Sequence, residues 1–245
     1  MEECHVEAEA AEPFTAVVSN PLADVSAFFS FTSNVDAHHL QSFPAGEVHE
    51  CHGNSETWQC ATRGACDRTW AAPAGFRFDV DSTTMRAAPG RGGDHAHDGD
   101  SVELASSWGN HPRCVRCGGP ARPNILMFED RAYKHDEASV SRFSSWATAV
   151  EEHVERETAA GRRCRVVVLE IGAGDNVRTV RQTSETLLRD VVGAGGVPTL
   201  IRINPDLPLA DDRDLQAHTL SLMARPDQTA SRPLRRPRLT SPANA

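Results

Sequence analysis

Four cysteines stand in two pairs near the middle of the chain: Cys60 and Cys66 in WQCATRGAC, then Cys114 and Cys117 in CVRC, with 47 residues between the pairs. A spacing of two residues lets a tight knuckle aim both thiolates at one ion, and four thiolates are the donor set of a closed structural zinc site. The first pair is looser, with five residues between its sulfurs, an extra turn that a loop can absorb. A disulfide pair or ordinary buried cysteines are the competing readings. The Gly- and Pro-rich frame around CVRCGG leaves little to build a core from, and a metal can take the place of one.

Histidine offers a second chemistry. His38, His39, His49 and His52 fall within 15 residues, but they show no recognised ligand spacing, and most read as surface or packing residues. His52 is different, because ECHG leads within eight residues to Cys60 and Gly53 permits a tight backbone path. A neutral imidazole held there can act as a general base near pH 7. Upstream, the apolar stretch at 28–32 runs into Thr32, Ser33, Asn34 and Asp36. Polar residues just past the C-terminal end of a strand are where open α/β sheets take ligands. Asn34 and Asp36 serve equally well as turn formers.

The elements that must position these groups show in the hydrophobic periodicity. Residues 28–32 and NILMF at 124–128 predict short strands, and 71–80 has room for one more. Over 138–160, Phe143, Trp146, Val150 and Val154 recur at spacings of three and four and predict one apolar helix face. RVVVLEI at 165–171 reads as a central parallel strand buried on both faces. It leads through GAGDN to a helix at about 176–192, with Val180, Leu187, Leu188 and Val191 inward, and then to TLIRI at 199–203. This strand, Gly loop, helix, strand order is a βαβ unit, with the two strands expected as parallel neighbours and Val166, Val168, Leu200 and Ile203 almost fully buried. IGAGD suits a phosphate loop and a tight packing turn equally.

The fold class expected is therefore α/β, an incomplete Rossmann-like parallel sheet with a small zinc-binding module inserted. Residues 28–57 and 121–214 form the Rossmann-like domain, and 58–120 the module, with a flexible Gly/Asp/His insertion at 87–107. Residues 1–27, opening on five Glu in MEECHVEAEAAEP, are a disordered or atypical terminus, and 215–245 a basic Pro-rich tail. Net charge is −9, which disfavours nucleic-acid binding by bulk electrostatics. No run of 18 apolar residues predicts a membrane span, and the acidic opening does not fit a secretory signal. Seven cysteines, four of them grouped, fit a reducing intracellular compartment, cytoplasmic or nuclear.

These stretches together resemble the sirtuins, the NAD-dependent protein lysine deacylases. FTSNVDAHH is similar to their TQNIDxLH segment, ECHG to their catalytic His-Gly, the four cysteines to their zinc module, and RPNILMF with Glu129 to their RPxVVxFGE stretch. IGAG lies where they carry G-T-S or G-A-G, and IRIN resembles their terminal I-N; order and spacing agree over about residues 28–206. The resemblance implies that Thr32, Ser33, Asn34 and Asp36 line the nicotinamide and ribose pocket, with His52 as the base and Asn34 and Asp36 beside it. Gly172, Ala173 and Gly174 would meet cofactor phosphate or ribose, and Asn204 the adenosine ribose. Cys60, Cys66, Cys114 and Cys117 would hold zinc, and Ile125–Phe128 would border the acyl-lysine cleft. The implied reaction has the acyl oxygen of an acyl-lysine protein or peptide attack C1′ of the NAD ribose as nicotinamide leaves, with His52 activating the ribose hydroxyl. The acyl group ends on ADP-ribose. His52 is expected to face a cleft floored by Thr32 and Gly172–Gly174.

The sequence departs from the family in three places. No G-A-G-x-S loop or P-D-F-R stretch precedes Phe28, Ser33 replaces the Gln of T-Q-N, and FED replaces F-G-E. These departures imply weak or no NAD binding and little nicotinamide release by the 245 residues alone. The alternative function is a catalytically inactive or truncated, zinc-stabilised sirtuin-like binding protein.

Overall fold

The computed structural model describes residues 26–62, 64, 66–74, 76–87 and 109–224. Expectations for residues 1–25, for 88–107 and for the chain beyond 224 lie outside them.

The chain opens with β1 (Ser30–Thr32), a single helical turn α1 (His39–Ser42) and β2 (Val48–Glu50). β1 and β2 pair in parallel, Ser30 beside Val48 and Thr32 beside Glu50. β3 (Gly53–Cys60), β4 (Thr69–Ala71), the short hairpin β5 (Val80–Asp81) and β6 (Arg86–Ala87), and β7 (Ala121–Ile125) follow. β3 is flanked by β4 and β7, antiparallel to both. Residues 53–57 and 121–125, read from the sequence as part of the Rossmann-like domain, pair within this antiparallel set. The strand expected at 124–128 is displaced. Pairing with β3 ends at Ile125, because Gly53 is where β3 begins, and Met127 and Phe128 protrude, 59% and 87% exposed.

The second half starts with α2 (Glu137–Ala159), N-capped by Asp136, whose carboxylate accepts from the Ser139 N–H. β8 (Arg165–Ile171), α3 (Thr179–Gly193) and β9 (Val197–Ile203) then make the expected βαβ unit, β8 and β9 lying parallel in register from Arg165 beside Val197 to Ile171 beside Ile203. Past a 3-10 turn at Arg213–His218, β10 (Thr219–Leu222) adds to the other side of β9. The fold therefore runs beyond residue 214: Leu215 is buried in the core and β10 belongs to the sheet.

The core lies between this sheet and its two helices. Leu188 of α3 meets Leu200, Ala210 and Leu215, and Val154 of α2 meets Val191 and Ala194. Leu200 and Ile203 are buried as expected, whereas Val166 and Val168 are only half-buried. The reason is position: β9 is the central strand and β8 lies at the end of the sheet. RVVVLEI is not buried on both faces. Val166, Val168 and Glu170 turn toward the helices, while Val167, Leu169 and Ile171 are 63%, 59% and 51% exposed.

Charge is buried inside this half. Arg202 is fully buried, with Nε 2.5 Å from Glu170 Oε1 and Nη1 3.1 Å from Glu185 Oε1. Its Nη1 also donates to the Leu209 carbonyl at 2.7 Å. Glu185 in turn accepts from the Asp211 N–H at 2.7 Å, so each buried charge meets an opposite charge or a backbone dipole. The signal was present in the sequence, because Glu170 and Arg202 are each the penultimate residue of their strands and stand opposite in register.

Candidate functional site

The two thiol pairs converge. The Cys60 and Cys117 sulfurs lie 3.6 Å apart, those of Cys66 and Cys114 3.4 Å apart, and all four within 4.8 Å of one another. Disulfide bonding needs about 2.05 Å, so these are free thiols. A tetrahedral ion with Zn–S bonds of about 2.3 Å sets its sulfurs roughly 3.8 Å apart, which the cluster matches. Cys60, Cys66 and Cys114 are buried and Cys117 is exposed. Hydrogen bonding to the Cys60 thiol, together with burial, pushes Cys66 up to about 12. Cys114 comes down to about 7, because N–H groups of Cys117 and Arg116 outweigh its burial. The knuckle geometry explains both glycines of CVRCGG. Gly118 has φ +67°, and a Cβ on Gly119 would lie 2.7 Å from Thr62 Oγ1 and 3.3 Å from Cys117 Sγ.

His52 sits on the two-residue turn between β2 and β3, and that turn is sewn to both neighbours. The Cys51 N–H donates to the Thr32 carbonyl at 2.9 Å, and the His52 carbonyl accepts from Leu126 N–H at 2.9 Å. Gly53 is required on two counts, since its φ is +71° and a Cβ would fall 1.9 Å from the Asn124 carbonyl oxygen. A side-chain bridge also spans the turn. Asn54 Nδ2 donates to the Glu50 carboxylate, while Asn54 Oδ1 accepts from the N–H groups of Glu56 and Thr57 at 3.0 and 2.8 Å. Burial raises the Glu50 pKa. Glu50 and Asn54 were not singled out from the sequence, although an Asn beside the His-Gly pair carried the hint.

The imidazole is half-buried and lines a cleft of about 960 Å³ with Leu126–Arg131 and Val177. Of Ile125–Phe128, the structure brings Leu126, Met127 and Phe128 to this cleft and not Ile125. The expected floor is not: neither Thr32 nor Gly172–Gly174 lines this cleft, and the loop after β8 reaches it only through Val177. Thr32 is buried and its hydroxyl accepts from the Asn34 N–H at 3.1 Å; Ser33 is half-buried and Asn34 exposed. Asp36 is a turn former in this structure, its carboxylate accepting from His38 N–H at 3.0 Å.

Gly172, Ala173, Gly174 and Asn204 gather elsewhere, at the ends of β8 and β9. The Ala173 carbonyl accepts from Asn204 Nδ2 at 2.8 Å and from Arg181 Nη1 at 3.2 Å. Arg181, buried on α3, also reaches the Leu207 and Leu209 carbonyls and Asp211, and these bonds hold the Asp211 carboxyl far below the usual range. Asn204 Oδ1 accepts from the N–H groups of Asp206 and Leu207 at 3.0 and 2.9 Å. Gly172 has φ +70°, yet a Cβ on Gly172 or Gly174 would meet nothing within 4 Å. Among the described residues, nothing packs against the outer side of this loop at Gly172 or Gly174.

Glu129 occupies a left-handed conformation at φ +59°, at the position where the family resemblance carries glycine. Such a backbone costs a β-carbon-bearing residue about 1–2 kcal/mol, part of which glycine gives back through its freer unfolded chain. Glu129→Gly should therefore raise stability by about 1 kcal/mol in urea unfolding. A loss of stability would show that the Glu129 side chain holds the loop.

No family model matches the chain, and no curated protein matches it. Solved structures similar to it include a mutant Sir2 homologue in complex with ADP-ribose and a Sir2 homologue in complex with NAD. Each is 18% identical with a TM-score of 0.42, and the alignments cover 83% of this chain and 57% and 56% of theirs. The chain thus spans little more than half the length of either. Among the described residues, no helix is long and apolar enough to cross a membrane.

Proposed function

We propose that the chain carries a sirtuin-type site, an NAD-dependent protein lysine deacylase centre held beside a structural zinc module. The observation that carries this reading is the His52 turn. It is bonded to the strand end at Thr32 on one side and to the residue after β7 on the other, and it opens on a cleft with an apolar rim at Leu126, Met127, Phe128 and Val177. An acyl-lysine side chain is a long apolar stem ending in an amide, and such a rim suits the stem. NAD, when bound, would supply the ribose carbon that accepts the acyl oxygen as nicotinamide leaves. His52 would be the base for a ribose hydroxyl, a task suited to an imidazole near neutral pH. Zinc would sit apart from this chemistry, since four thiolates leave no open coordination position.

A second reading, binding without turnover, draws support from two side chains. Asp36 is occupied with the His38 N–H, and Asn204 braces Ala173 and its own turn, so fewer polar groups are left to hold a ribose. Titration calorimetry with NAD and a nicotinamide-release assay with an acetyl-lysine peptide separate the two. Slow release that falls about 100-fold or more in His52→Ala is the result expected. NAD binding with release that is absent, or unchanged by His52→Ala, would replace the deacylase reading with the second one. Absence of NAD binding would sink the deacylase reading and leave the second.

A further inference from the structure

Among the described residues, three buried side-chain atoms lack a hydrogen-bond partner: Glu170 Oε1, Arg202 Nε and Trp70 Nε1. The first two face each other in the 2.5 Å ion pair, which leaves the Trp70 indole as the orphan. An indole nitrogen can only donate, and buried donors are almost always paired, so the exception calls for an acceptor that the protein's neutral atoms do not supply. The register of the antiparallel module says where to look. Trp70 of β4 stands opposite Trp58 of β3, and Thr69 opposite Gln59. Opposed residues of a ladder share a face, and residues two apart along a strand return to it, so Trp58, Cys60 and Trp70 lie on one face with Trp70 diagonal to Cys60. A diagonal neighbour is within reach of an aromatic side chain. Trp70 accordingly packs against the buried cluster of Cys60, Cys66 and Cys114.

Four thiolates around one divalent ion leave an excess of negative charge on sulfur, and N–H donors beyond the ligands are what disperse it and fix the ligands in place. The second cysteine pair makes its own donors: the N–H groups of Arg116 and Cys117 reach Cys114, and that of Gly119 reaches Cys117. The first pair, with its wider spacing, closes no such knuckle. The Cys60 sulfur meets the Thr62 carbonyl and the Cys117 thiol, and the Cys66 sulfur meets the Cys114 thiol, none of them an N–H. We infer that Trp70 is the donor this half of the site requires: its indole N–H bonds a thiolate of the Cys60 and Cys66 pair when zinc is held, and so positions the looser pair. A thiol sulfur is a weak acceptor, whereas a thiolate takes a charge-assisted hydrogen bond, so the bond forms together with the metal site. The inference rests on the zinc reading and adds to it a residue outside the four ligands.

NMR of the full chain loaded with cadmium-113 tests this. Soft thiolates take cadmium as they take zinc, and a proton hydrogen-bonded to a metal-bound sulfur is split by coupling to the metal nucleus, which packing alone cannot produce. One indole N–H should show that splitting, and Trp70→Phe should remove the resonance. The Trp146 indole donates to the Ser26 carbonyl at 2.8 Å and should stay unsplit. Chelator competition gives a second readout: Trp70→Phe, which keeps an aromatic ring without the donor, should weaken zinc binding about tenfold or more, while Trp146→Phe should leave it unchanged. Bound cadmium with no indole proton coupled to it, or Trp70→Phe with wild-type zinc affinity, would overturn the inference and leave the zinc site standing. A wild-type chain that takes up neither metal would overturn the zinc reading, and this inference with it.

Discussion

Cys117→Ser should strip the protein of its metal. Purified wild-type protein is expected to carry close to one equivalent of zinc by elemental analysis, and the variant almost none. Cys117 is the ligand to change because it alone of the four is exposed, so a smaller side chain there leaves no cavity and the effect reports on the ion. Structural zinc contributes about 10–16 kcal/mol of apparent binding energy in small modules, far more than the local packing of Trp70 against Cys60, Cys66 and Cys114 can replace. The antiparallel module should then open to protease between residues 58 and 120, while β8–α3–β9, which shares no residue with it, stays protected. Wild-type protein without zinc, or a variant that kept it, would show that Cys117 is an ordinary thiol, and loss of zinc with the module still resistant would show that the ion does not hold the module together.

Gly53→Ala should be the most damaging small substitution near the cleft. The added methyl would stand 1.9 Å from a backbone oxygen of β7 and 3.0 Å from the Tyr133 hydroxyl, at φ +71°, and a backbone oxygen cannot swing aside. Left-handed strain of about 1–2 kcal/mol and overpacking of about 1–3 kcal/mol add, so a loss on the order of 3 kcal/mol is expected in urea unfolding. Gly174→Ala is the matched control, since a methyl there meets nothing within 4 Å, and its stability should be close to wild type. Equal stability of Gly53→Ala and wild type would mean that β7 lies farther from the turn than the structure has it.

Much of this architecture was legible in the residues. The two-residue spacing of Cys114 and Cys117 suited a metal-binding knuckle, and Gly53 after His52 announced a close backbone approach. The helix over 137–159 and the βαβ order of 165–203 followed from periodicity. What periodicity could not distinguish was a strand covered on both faces from one covered on one, because RVVVLEI spells both alike. Burial of Val167, Leu169 and Ile171 depends on neighbours that the strand itself does not encode. β10 escaped for a related reason: TLSL is short and mixed, and joins the sheet because the free edge of β9 is there to receive it. The Asp36 carboxylate was ambiguous from the start, and in the structure it accepts from the His38 N–H as turn formers do.

The grip of Arg181 and Asn204 on the Ala173 carbonyl has a calorimetric corollary. A loop already immobilised by two donors has little conformational freedom left to surrender, so a ligand settling on its open side would avoid the entropic penalty that accompanies ordering of a loose segment. The temperature slope of its binding heat should then follow the apolar area it covers and nothing more, whereas a folding-upon-binding loop would add its own large negative heat-capacity change.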